Sequence, residues 1–507
     1  MHKEIKKVLI ANRSVPATRI MHTCRDREIA TVAVYSSPDR LASHVAMADA
    51  SVHIGGASAS ESYLNKERLI AAALANGADA IHPGWGFLAE NSDFARMVIA
   101  AGLVWIGPPP QAIEAMGDKI AAKDIAATAD VPMIPGITNV TRVEQIEQWV
   151  AEEGIAYPLM IKAAAGGGGK GMVKVSNGEN LELALAQAAS EAMKAFGDDK
   201  MLVEKCIDPA KHIEVQIVAD EHGNVLHLFE RECTLQRRNQ KVIEEAPSPS
   251  LSEETRQQIC ATAVRLMRKI GYVSAGTVEF IYDPVVEKFY FLEVNTRLQV
   301  EHGVTELITG LDIVSLMLDI AEGKEIPFRQ EGVHRSGWAL EARINAEDPL
   351  TFNPSFGTIS RLEVPHGPGV RIYQGAYEGA DIPPYYDSLF MLLMTYGQRR
   401  EDAIRIMDRA LRRNLRIEGV KTLAPLLLSL IGHDTFKQGD FSTRFIERFI
   451  EQSVEQPVEM EEPWGEETPR HMDELTATFT ETDGEDKLQQ IAKYVAKISA
   501  LGPQDWM

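Results

Sequence analysis

The sequence has few cysteines and lacks any long apolar run. Its four cysteines are spread along 507 residues without CxxC spacing, which argues against a zinc site or a disulfide framework. No apolar run approaches the ~18 residues that span a bilayer, so a membrane segment is not expected. The N-terminus shows neither a secretory signal nor a transit peptide. Because 45% of the residues are hydrophobic and 25% are charged, we expect a globular protein of the cytoplasm.

Basic residues are also in short supply. The chain contains 52 Lys and Arg against 73 Asp and Glu, a net charge of −21. Without a basic stripe, a nucleic-acid partner is not expected. Residues 451–486 hold 13 of the acidic residues and a single Arg. This proline-containing stretch lacks apolar periodicity, so we predict an acidic linker over residues 449–487. Its charge either solvates the segment or recruits a basic partner.

The length and the patterning predict several domains. Residues 1–115 alternate short apolar strands with helical stretches, which indicates a parallel sheet with helices on both faces. Residues 116–330 open with a helix around 116–129 and continue as α+β structure, and residues 331–448 begin with strands. A last amphipathic helix is predicted over 488–501. The pattern is equally compatible with docking on this chain and with docking on a partner.

The strongest chemical signal is a run of polar residues at every second position, from Glu293 to Glu301. On a strand these side chains share one face. A solvated strand face is the alternative, but two carboxylates, an amide and a guanidinium in register favour a site. A hairpin would bring Glu279 beside Glu293. With Asn295 they offer only oxygen ligands, which suits Mg²⁺, and such a metal implies a nucleotide.

Three further segments carry weaker signals. Glycines 166–169 follow Lys162, so backbone N–H groups and one cation could approach phosphate, although the P-loop spacing is absent. A flexible hinge is the alternative. Residues 236–241 (QRRNQK) form a donor cluster for an anionic substrate, or a solvated face. The loop His82–Phe87 follows a strand, where open α/β sheets bind ligands, and a plain turn is equally compatible.

Together these motifs resemble biotin carboxylase, an ATP-grasp enzyme. The resemblance spans about residues 5–448 and rests on IANR (10–13), HPGWGFLAEN (82–91), MGDK (116–119), IKAAAGGGGKGM (161–172), KHIEVQ (211–216), QRRNQK (236–241), EVNTRLQVEH (293–302) and EARINAEDP (341–349). It implies an α/β and α+β ATP-grasp fold. This fold has an N-terminal Rossmann-like parallel-sheet domain (1–115), an ATP-grasp domain (116–330) with a mobile lid (134–206), and a C-terminal antiparallel-sheet biotin carboxylase domain (331–448).

The resemblance also implies a reaction, the ATP- and bicarbonate-dependent carboxylation of biotin through carboxyphosphate. The implied ATP site comprises Lys119, Lys162, Gly168, Gly169, Glu204, Lys205, Cys206, Ile207, His212, Gln236, Asn239, Glu279 and Glu293. Glu279, Glu293 and Asn295 are the implied ligands of Mg²⁺ or Mn²⁺. The implied bicarbonate and biotin site comprises Lys241, Arg297, Gln299, Val300, Glu301, Arg343 and Trp85. Glu301 is the implied base and Arg343 the cation that stabilises the biotin enolate, with Lys241 and Arg297 as further catalytic residues.

Several positions depart from the family's usual residues. They are Ser14-Val15-Pro16 in the first loop, Trp85 for Tyr, Asn239 for His, Gly303 for Pro, Tyr373 for an acidic residue, and Leu392 for Lys. These departures raise the alternative hypothesis of a catalytically impaired paralogue with an assembly or regulatory role. None of them removes an implied metal ligand or the implied base, which argues against that alternative. Another ATP-grasp ligase is a further alternative.

No biotin attachment sequence is apparent in the chain. The only Ala-Met-Lys, at residues 192–194, lacks the second Met of the usual AMKM sequence. The resemblance therefore implies that biotin arrives on a separate carrier protein, and that a carboxyltransferase subunit is a second partner. A homodimer or a larger complex is expected. Acetyl-CoA, propionyl-CoA and pyruvate all stay open as final acceptors.

Overall fold

A computed structural model describes residues 4–163, 172–197, 199–238 and 240–455 of the chain. The first part of the chain forms a five-stranded parallel sheet in the order β3-β2-β1-β4-β5. Its elements are β1 (Lys7–Ile10), α1 (Ser14–Asp26), β2 (Ala30–Ser36), α2 (Ser43–Met47), β3 (Ala50–Gly55), α3 (Lys66–Ala75), β4 (Ala80–His82), α4 (Ser92–Ala100), β5 (Val104–Trp105) and α5 (Pro110–Gly117). The central strands are buried on both faces, as their continuous apolar runs predicted.

A four-stranded antiparallel sheet forms the segment predicted to be the lid, in the order β6-β9-β7-β8. Helix α6 (Lys119–Thr128) precedes this segment, whose elements are β6 (Gly136–Val140), α7 (Val143–Glu153), β7 (Leu159–Ala163), β8 (Met172–Val175), α8 (Leu181–Phe196) and β9 (Met201–Lys205). Helices α7 and α8 pack on this sheet through Ile146, Leu185 and Ala188, which contact buried residues of β7. The sheet thus has an apolar core of its own.

An eight-stranded antiparallel sheet dominates the remaining chain, in the order β14-β13-β10-β11-β12-β15-β20-β18, and β16-β19 and β17-β21 form two small antiparallel sheets beside it. The elements are β10 (Lys211–Ala219), β11 (Val225–Arg237), β12 (Gln240–Ala246), α9 (Glu253–Ile270), β13 (Ser274–Asp283), β14 (Lys288–Asn295), α10 (His302–Thr309), α11 (Ile313–Ala321), β15 (Trp338–Asn345), β16 (Gly357–Thr358), β17 (Arg361–Glu363), β18 (Val370–Gln374), β19 (Asp381–Ile382), β20 (Leu389–Gly397), α12 (Arg400–Arg409), β21 (Arg416–Glu418), α13 (Ala424–Gly432), α14 (Asp434–Gln438) and α15 (Phe445–Glu455). Strands β15, β20 and β18 continue the sheet past residue 331, so it crosses the domain boundary predicted there.

Helix α9 illustrates how local sequence sets an element. The Ser252 side chain accepts a hydrogen bond from the Thr255 N–H and caps the first turn. Gly271 ends the helix with a φ of +68°, a conformation that glycine adopts without strain. Between these ends, Ile259 and Met267 face the core under β10 and β13. No helix in the described part of the chain has the length and apolar composition needed to span a bilayer.

Two predicted elements, the helix around 116–129 and the acidic linker, differ from the structure. The helix expected around 116–129 is two helices, because Asp118 is extended and its carboxylate accepts a hydrogen bond from the Ala121 N–H at the start of α6. Helix α15 extends to Glu455, so residues 449–455 of the predicted linker are helical. The remainder of the linker and the predicted helix 488–501 lie outside the described residues.

The strand predicted over Glu293 to Glu301 ends early. Strand β14 stops at Asn295, and Glu301 lies at the N-cap of α10. The Thr296 N–H donates to the Glu90 carboxylate at 3.1 Å, so the chain leaves the sheet to meet the N-terminal part of the protein. The expectation that all five polar residues share one strand face is therefore wrong, although the turn keeps them close.

Candidate active site

The sheet places three acidic residues on adjacent strands. Glu214 of β10 is the register partner of Glu279 of β13, and Glu279 is the partner of Glu293 of β14. Register partners point to the same face of a sheet with neighbouring Cβ atoms. The hairpin predicted to bring Glu279 beside Glu293 is thus confirmed, and these carboxylates form one row across the sheet.

Lys241 of β12 balances much of this negative charge. Its Nζ donates to Glu214 at 2.5 Å and to Glu279 at 2.9 Å, and it also donates to Glu301. Burial on its own would lower the pKa of the Lys241 ammonium, but the carboxylates raise it well above its usual range. The lysine is therefore a fixed cation at the centre of the cluster.

Both oxygens of Glu279 lie close to polar side chains. Oε1 accepts from Lys241, from Asn295 at 2.9 Å and from Gln299 at 3.3 Å. Oε2 lies 2.9 Å from Nε2 of His212. Burial favours the neutral imidazole of His212, but Glu279 raises the pKa of this ring above its usual value. The other ring nitrogen, Nδ1, lies 2.8 Å from Nε2 of Gln236. His212, Gln236 and Glu279 therefore belong to one contact network.

The residues predicted to bind a metal fit a hard cation. Glu279, Glu293 and Asn295 present carboxylate and amide oxygens only, the donor set that Mg²⁺ prefers. Burial and the repulsion of Glu279 raise the pKa of Glu293, so the two carboxylates lie close enough to oppose each other's charge. A divalent cation between them would relieve this repulsion.

Arg297 and Arg343 approach the cluster from different elements. Arg297 donates to Asn295 at 2.8 Å and to Glu90 at 2.9 Å. Arg343 of β15 donates to Glu244 at 2.6 Å and to Glu301 at 3.0 Å. The network therefore joins all four predicted catalytic residues to one another.

Glu301 is held between two cations. Burial alone would raise the pKa of this carboxyl, but Lys241 and Arg343 hold it well below its usual range. Glu301 is therefore ionised at neutral pH and able to accept a proton when a substrate draws the cations away. No other carboxylate among the described residues bonds both Lys241 and Arg343.

The predicted nucleotide residues form a second group. Lys162 of β7 donates to Glu204 of β9 at 2.6 Å, and Lys123 also bonds Glu204. Burial lowers the pKa of Lys119, while Glu293 opposes the shift and Lys162 adds to it. Lys205, Cys206 and Ile207 are half-buried at the end of β9. Gly168, Gly169 and Asn239 lie outside the described residues.

Trp85 and Val300 contact one apolar cluster beside the site, which we call the apolar seam. It comprises Val15, Tyr373, Leu392 and Met394, with Trp85, Val300, Leu307 and Leu389 packed against it. The His302 ring stacks on Tyr373 with 5.8 Å between centroids, and Trp85 lies 5.9 Å from His302. Four of the departures from the family's usual residues, at positions 15, 85, 373 and 392, therefore meet in one place.

Sequence reasoning missed several residues of the site. Glu214, Glu244, Glu90 and Lys123 bond predicted residues but were not singled out. Glu214 lies two positions after His212 on β10, so strand alternation places both on one face. That spacing was the available signal. Glu90 and Glu244 meet their partners only through the tertiary fold.

Three family models match the chain. Residues 4–113 match "Biotin carboxylase, N-terminal domain", residues 118–329 match "Carbamoyl-phosphate synthase L chain, ATP binding domain", and residues 341–448 match "Biotin carboxylase C-terminal domain". Biotin carboxylase 1 of Bacillus subtilis is 46% identical over 445 residues, covering 87% of this chain and 98% of that protein. The chain belongs to the biotin carboxylase family.

Two further relatives agree with this assignment. The mitochondrial propionyl-CoA carboxylase alpha chain of Mus musculus is 48% identical over 447 residues, covering 88% of this chain and 61% of that one. The biotin carboxylase domain dimer of Hydrogenobacter thermophilus 2-oxoglutarate carboxylase, solved with MgADP, ADP and bicarbonate, superposes with a TM-score of 0.83. It is 45% identical and covers 88% of this chain and 98% of that one.

The family assignment settles the fold and the class of reaction. The chain has the ATP-grasp fold of biotin carboxylase, and it is an ATP-dependent ligase that carboxylates biotin. These findings support the active enzyme over the impaired paralogue, and they do not support another ATP-grasp ligase. The retained Lys241, Glu301 and Arg343 contacts agree with that conclusion.

Proposed function

We propose that this chain is the biotin carboxylase subunit of a biotin-dependent carboxylase, and that Glu301 is its base. The observation that carries the proposal is the position of Glu301 between Lys241 and Arg343. Two fixed cations on either side of a carboxylate form a place where an anion can bind next to a base. Bicarbonate fits this place, and its proton passes to Glu301.

Arg297 and Gln299 complete the bicarbonate site in this proposal. The Nη1 of Arg297 lies 3.3 Å from Oε1 of Gln299, and its Nη2 bonds Asn295. Its planar guanidinium matches the geometry of bicarbonate oxygens. Rearranging these bonds would let Arg297 and Lys241 hold bicarbonate while Glu301 removes its proton. The bicarbonate oxygen then attacks the γ-phosphorus of ATP. The bond from this phosphorus to ADP breaks, ADP leaves, and carboxyphosphate forms.

The nucleotide residues supply charge and position in this step. The ammonium groups of Lys119 and Lys162 supply positive charge near the phosphates, and Glu204 accepts a hydrogen bond from Lys162 and holds it in place. Glu279, Glu293 and Asn295 would hold Mg²⁺, which would supply positive charge to phosphate oxygens during phosphoryl transfer. His212 and Gln236 belong to the same site. Lys205, Cys206, Ile207 and the segment holding Gly168, Gly169 and Asn239 complete the proposed nucleotide site.

Arg343 is the proposed partner of the biotin ureido oxygen. Carboxyphosphate gives CO₂ and phosphate, and the phosphate removes the N1′ proton of biotin. The resulting enolate-like group carries negative charge on oxygen, which a guanidinium stabilises. Trp85 and Val300 pack against the apolar seam, which includes Leu392, the register partner of Arg343. The biotin is proposed to arrive on a separate carrier protein, with a carboxyltransferase subunit as the second partner.

The assembly and the domain division are part of the same proposal. A dimer of this chain follows the dimer described for the relative from H. thermophilus. The domains are 1–115, 116–330 with a lid over 134–206, and 331–448. The eight-stranded sheet joins the last two, so we expect them to unfold together.

Phosphate release from MgATP, with and without bicarbonate and free biotin, tests the proposal. We expect bicarbonate-dependent, biotin-stimulated release that falls at least about 100-fold in Glu301→Gln, because the base is lost. Glu230→Gln is the matched control, since Glu230 is equally buried but pairs with Arg256. Release that ignores both additives, or that survives in Glu301→Gln, would overturn the proposal.

A further inference from the structure

A buried carboxyl next to the site is left without a partner. Glu341 is fully buried, and neither of its oxygens has a hydrogen-bond partner among the described residues. It lies two positions before Arg343 on β15, so both side chains leave the same face of the strand. An ionised carboxylate in such a place is costly unless it is paired or hydrogen-bonded.

A second carboxyl lies directly beside it. Glu244 of β12 is the register partner of Glu341, which brings their Cβ atoms to about 5 Å. Glu244 is also fully buried. Its Oε1 accepts from Arg343 at 2.6 Å, and its Oε2 has no partner. Two carboxylates in contact in a dry interior do not both ionise, and one of them keeps a proton.

The surrounding cations are already paired. Lys241 bonds Glu214, Glu279 and Glu301, Arg231 bonds Glu214, and Arg343 bonds Glu244 and Glu301. Glu301 and Arg231 also act on Glu341 electrostatically. Gly303 of α10 and Met394 of β20, which lie beside it, carry no charge. Glu341 therefore receives no direct ion pair from any described element that packs against it.

We propose that Glu341 is a positioning residue that carries a proton at neutral pH, and that it thereby keeps Arg343 paired with Glu244 and Glu301. This inference rests on the role proposed for Arg343. An ionised Glu341 would add a second negative charge beside the guanidinium. That charge would compete with Glu301 for Arg343, and it would weaken the attraction of Arg343 for an anionic substrate group.

The electrostatics agree with this assignment. Burial and the repulsion of Glu244 raise the pKa of Glu341 well above its usual range, against the attraction of Arg343. Burial raises the pKa of Glu244 to about 7, although Arg343 opposes the shift. The direct pair with Arg343 makes Glu244 the member that ionises first. The proton therefore stays on Glu341.

The first test is the pH profile of biotin-stimulated phosphate release in Glu341→Gln. The amide copies a protonated carboxyl in shape but cannot lose a proton. We expect kcat at pH 7 to fall by no more than about threefold, and the alkaline decline of activity to begin at least about one pH unit higher than in the wild-type protein. Glu244→Gln removes the charged partner of Arg343, so its kcat should fall about tenfold or more with little change in the KM for ATP.

The second test needs no activity. The infrared C=O band of a protonated carboxylic acid should be present in the wild-type protein at pH 7 and should lose one component in Glu341→Gln but not in Glu230→Gln. If Glu341→Gln does not fold, titration of this band in the wild-type protein above pH 7 replaces it. A band unchanged by Glu341→Gln, or absent from the wild-type protein, would overturn the inference. Loss of bicarbonate dependence with the band intact would instead overturn the proposed function.

Discussion

The Nζ of Lys241 donates a hydrogen bond to the Glu301 carboxylate, which joins strand β12 to the N-cap of helix α10. The same ammonium bonds Glu214 and Glu279. The side chain is thus both a proposed ligand of bicarbonate and the main counter-ion of a buried acidic cluster. Function and stability therefore depend on the same charge.

Lys241→Met should remove this charge without removing much volume. The three carboxylates then lose their shared cation, and breaking a buried pair in this way costs about 3–5 kcal/mol of unfolding free energy. Urea denaturation measures the loss, and phosphate release should fall at least about 100-fold. Lys437→Met is the control, because Lys437 is half exposed and lies 3.8 Å from the exposed Asp434. A loss below about 1 kcal/mol in Lys241→Met would contradict the prediction.

Helix α10 approaches the sheet closely at Gly303. A Cβ added at Gly303 would lie 2.3 Å from Sδ of Met394. Gly303→Ala should therefore destabilise the protein by about 1–3 kcal/mol through overpacking. Gly432→Ala is the control, since a Cβ there meets nothing within 4 Å. Thermal and urea unfolding report both variants.

A second substitution separates overpacking from other causes. Met394→Ala opens the space that the new methyl group needs, so the double variant should be more stable than the sum of the two single changes by about 0.5–3 kcal/mol. Additive effects would show that the contact between Gly303 and Met394 does not set the cost.

The apolar seam makes a prediction about two cross-strand neighbours. Tyr373 of β18 and Leu392 of β20 are register partners, and both are buried. Leu392→Lys places an ammonium in this apolar environment, and we expect a loss of about 3–5 kcal/mol. Adding Tyr373→Glu supplies an opposite charge directly across the strand, so the pair should recover part of the loss.

The double-mutant cycle needs Tyr373→Glu alone as its fourth corner. The Tyr373 hydroxyl donates to Glu306 at 2.9 Å, so the single variant loses that bond and sets two carboxylates side by side. Urea unfolding of all four proteins gives the coupling energy. A coupling energy near zero would show that the charges introduced at positions 373 and 392 do not interact between β18 and β20.

Much of the fold was predictable because local patterns and tertiary packing agree. The continuous apolar runs near Val8 and Val32 predicted buried parallel strands, and the paired runs around Glu279 and Glu293 predicted the hairpin. The strand break after Asn295 was not predictable. Its cause is a contact with Glu90 from another part of the chain, which no local pattern records.

Some contacts of the candidate site were likewise predictable from local sequence, and others depend on the tertiary fold. His212 and Glu214, and likewise Glu341 and Arg343, are two residues apart on strands, so alternation alone predicts shared faces. The pairing of Glu244 with Arg343 depends on the register between β12 and β15, which the sequence does not encode locally. The unpaired state of Glu341 emerges only when every neighbouring cation has been assigned.

The last prediction concerns acid stability and the first loop. His44 is fully buried; its Nε2 bonds the Val34 carbonyl, and its Nδ1 lies 3.4 Å from the Ser14 N–H. Burial lowers the pKa of His44 to about 4. The unfolded chain therefore binds more protons than the folded protein between about pH 6.5 and 4, and stability falls as the pH falls through this window. The loss from this one group is about 3 kcal/mol.

His44→Gln should flatten this pH dependence, because the amide keeps a donor and an acceptor but has no proton to gain. The measurement is the unfolding free energy in urea at several pH values, with His366→Gln as the control because His366 is exposed. We expect the wild-type protein and the control to lose stability in parallel below pH 6.5, and the difference between them and His44→Gln to shrink as the pH approaches 4. A constant difference across the window would show that protonation of His44 does not oppose folding. The neutral imidazole of His44, whose Nδ1 accepts from the Ser14 N–H, would then not be required to hold the start of helix α1.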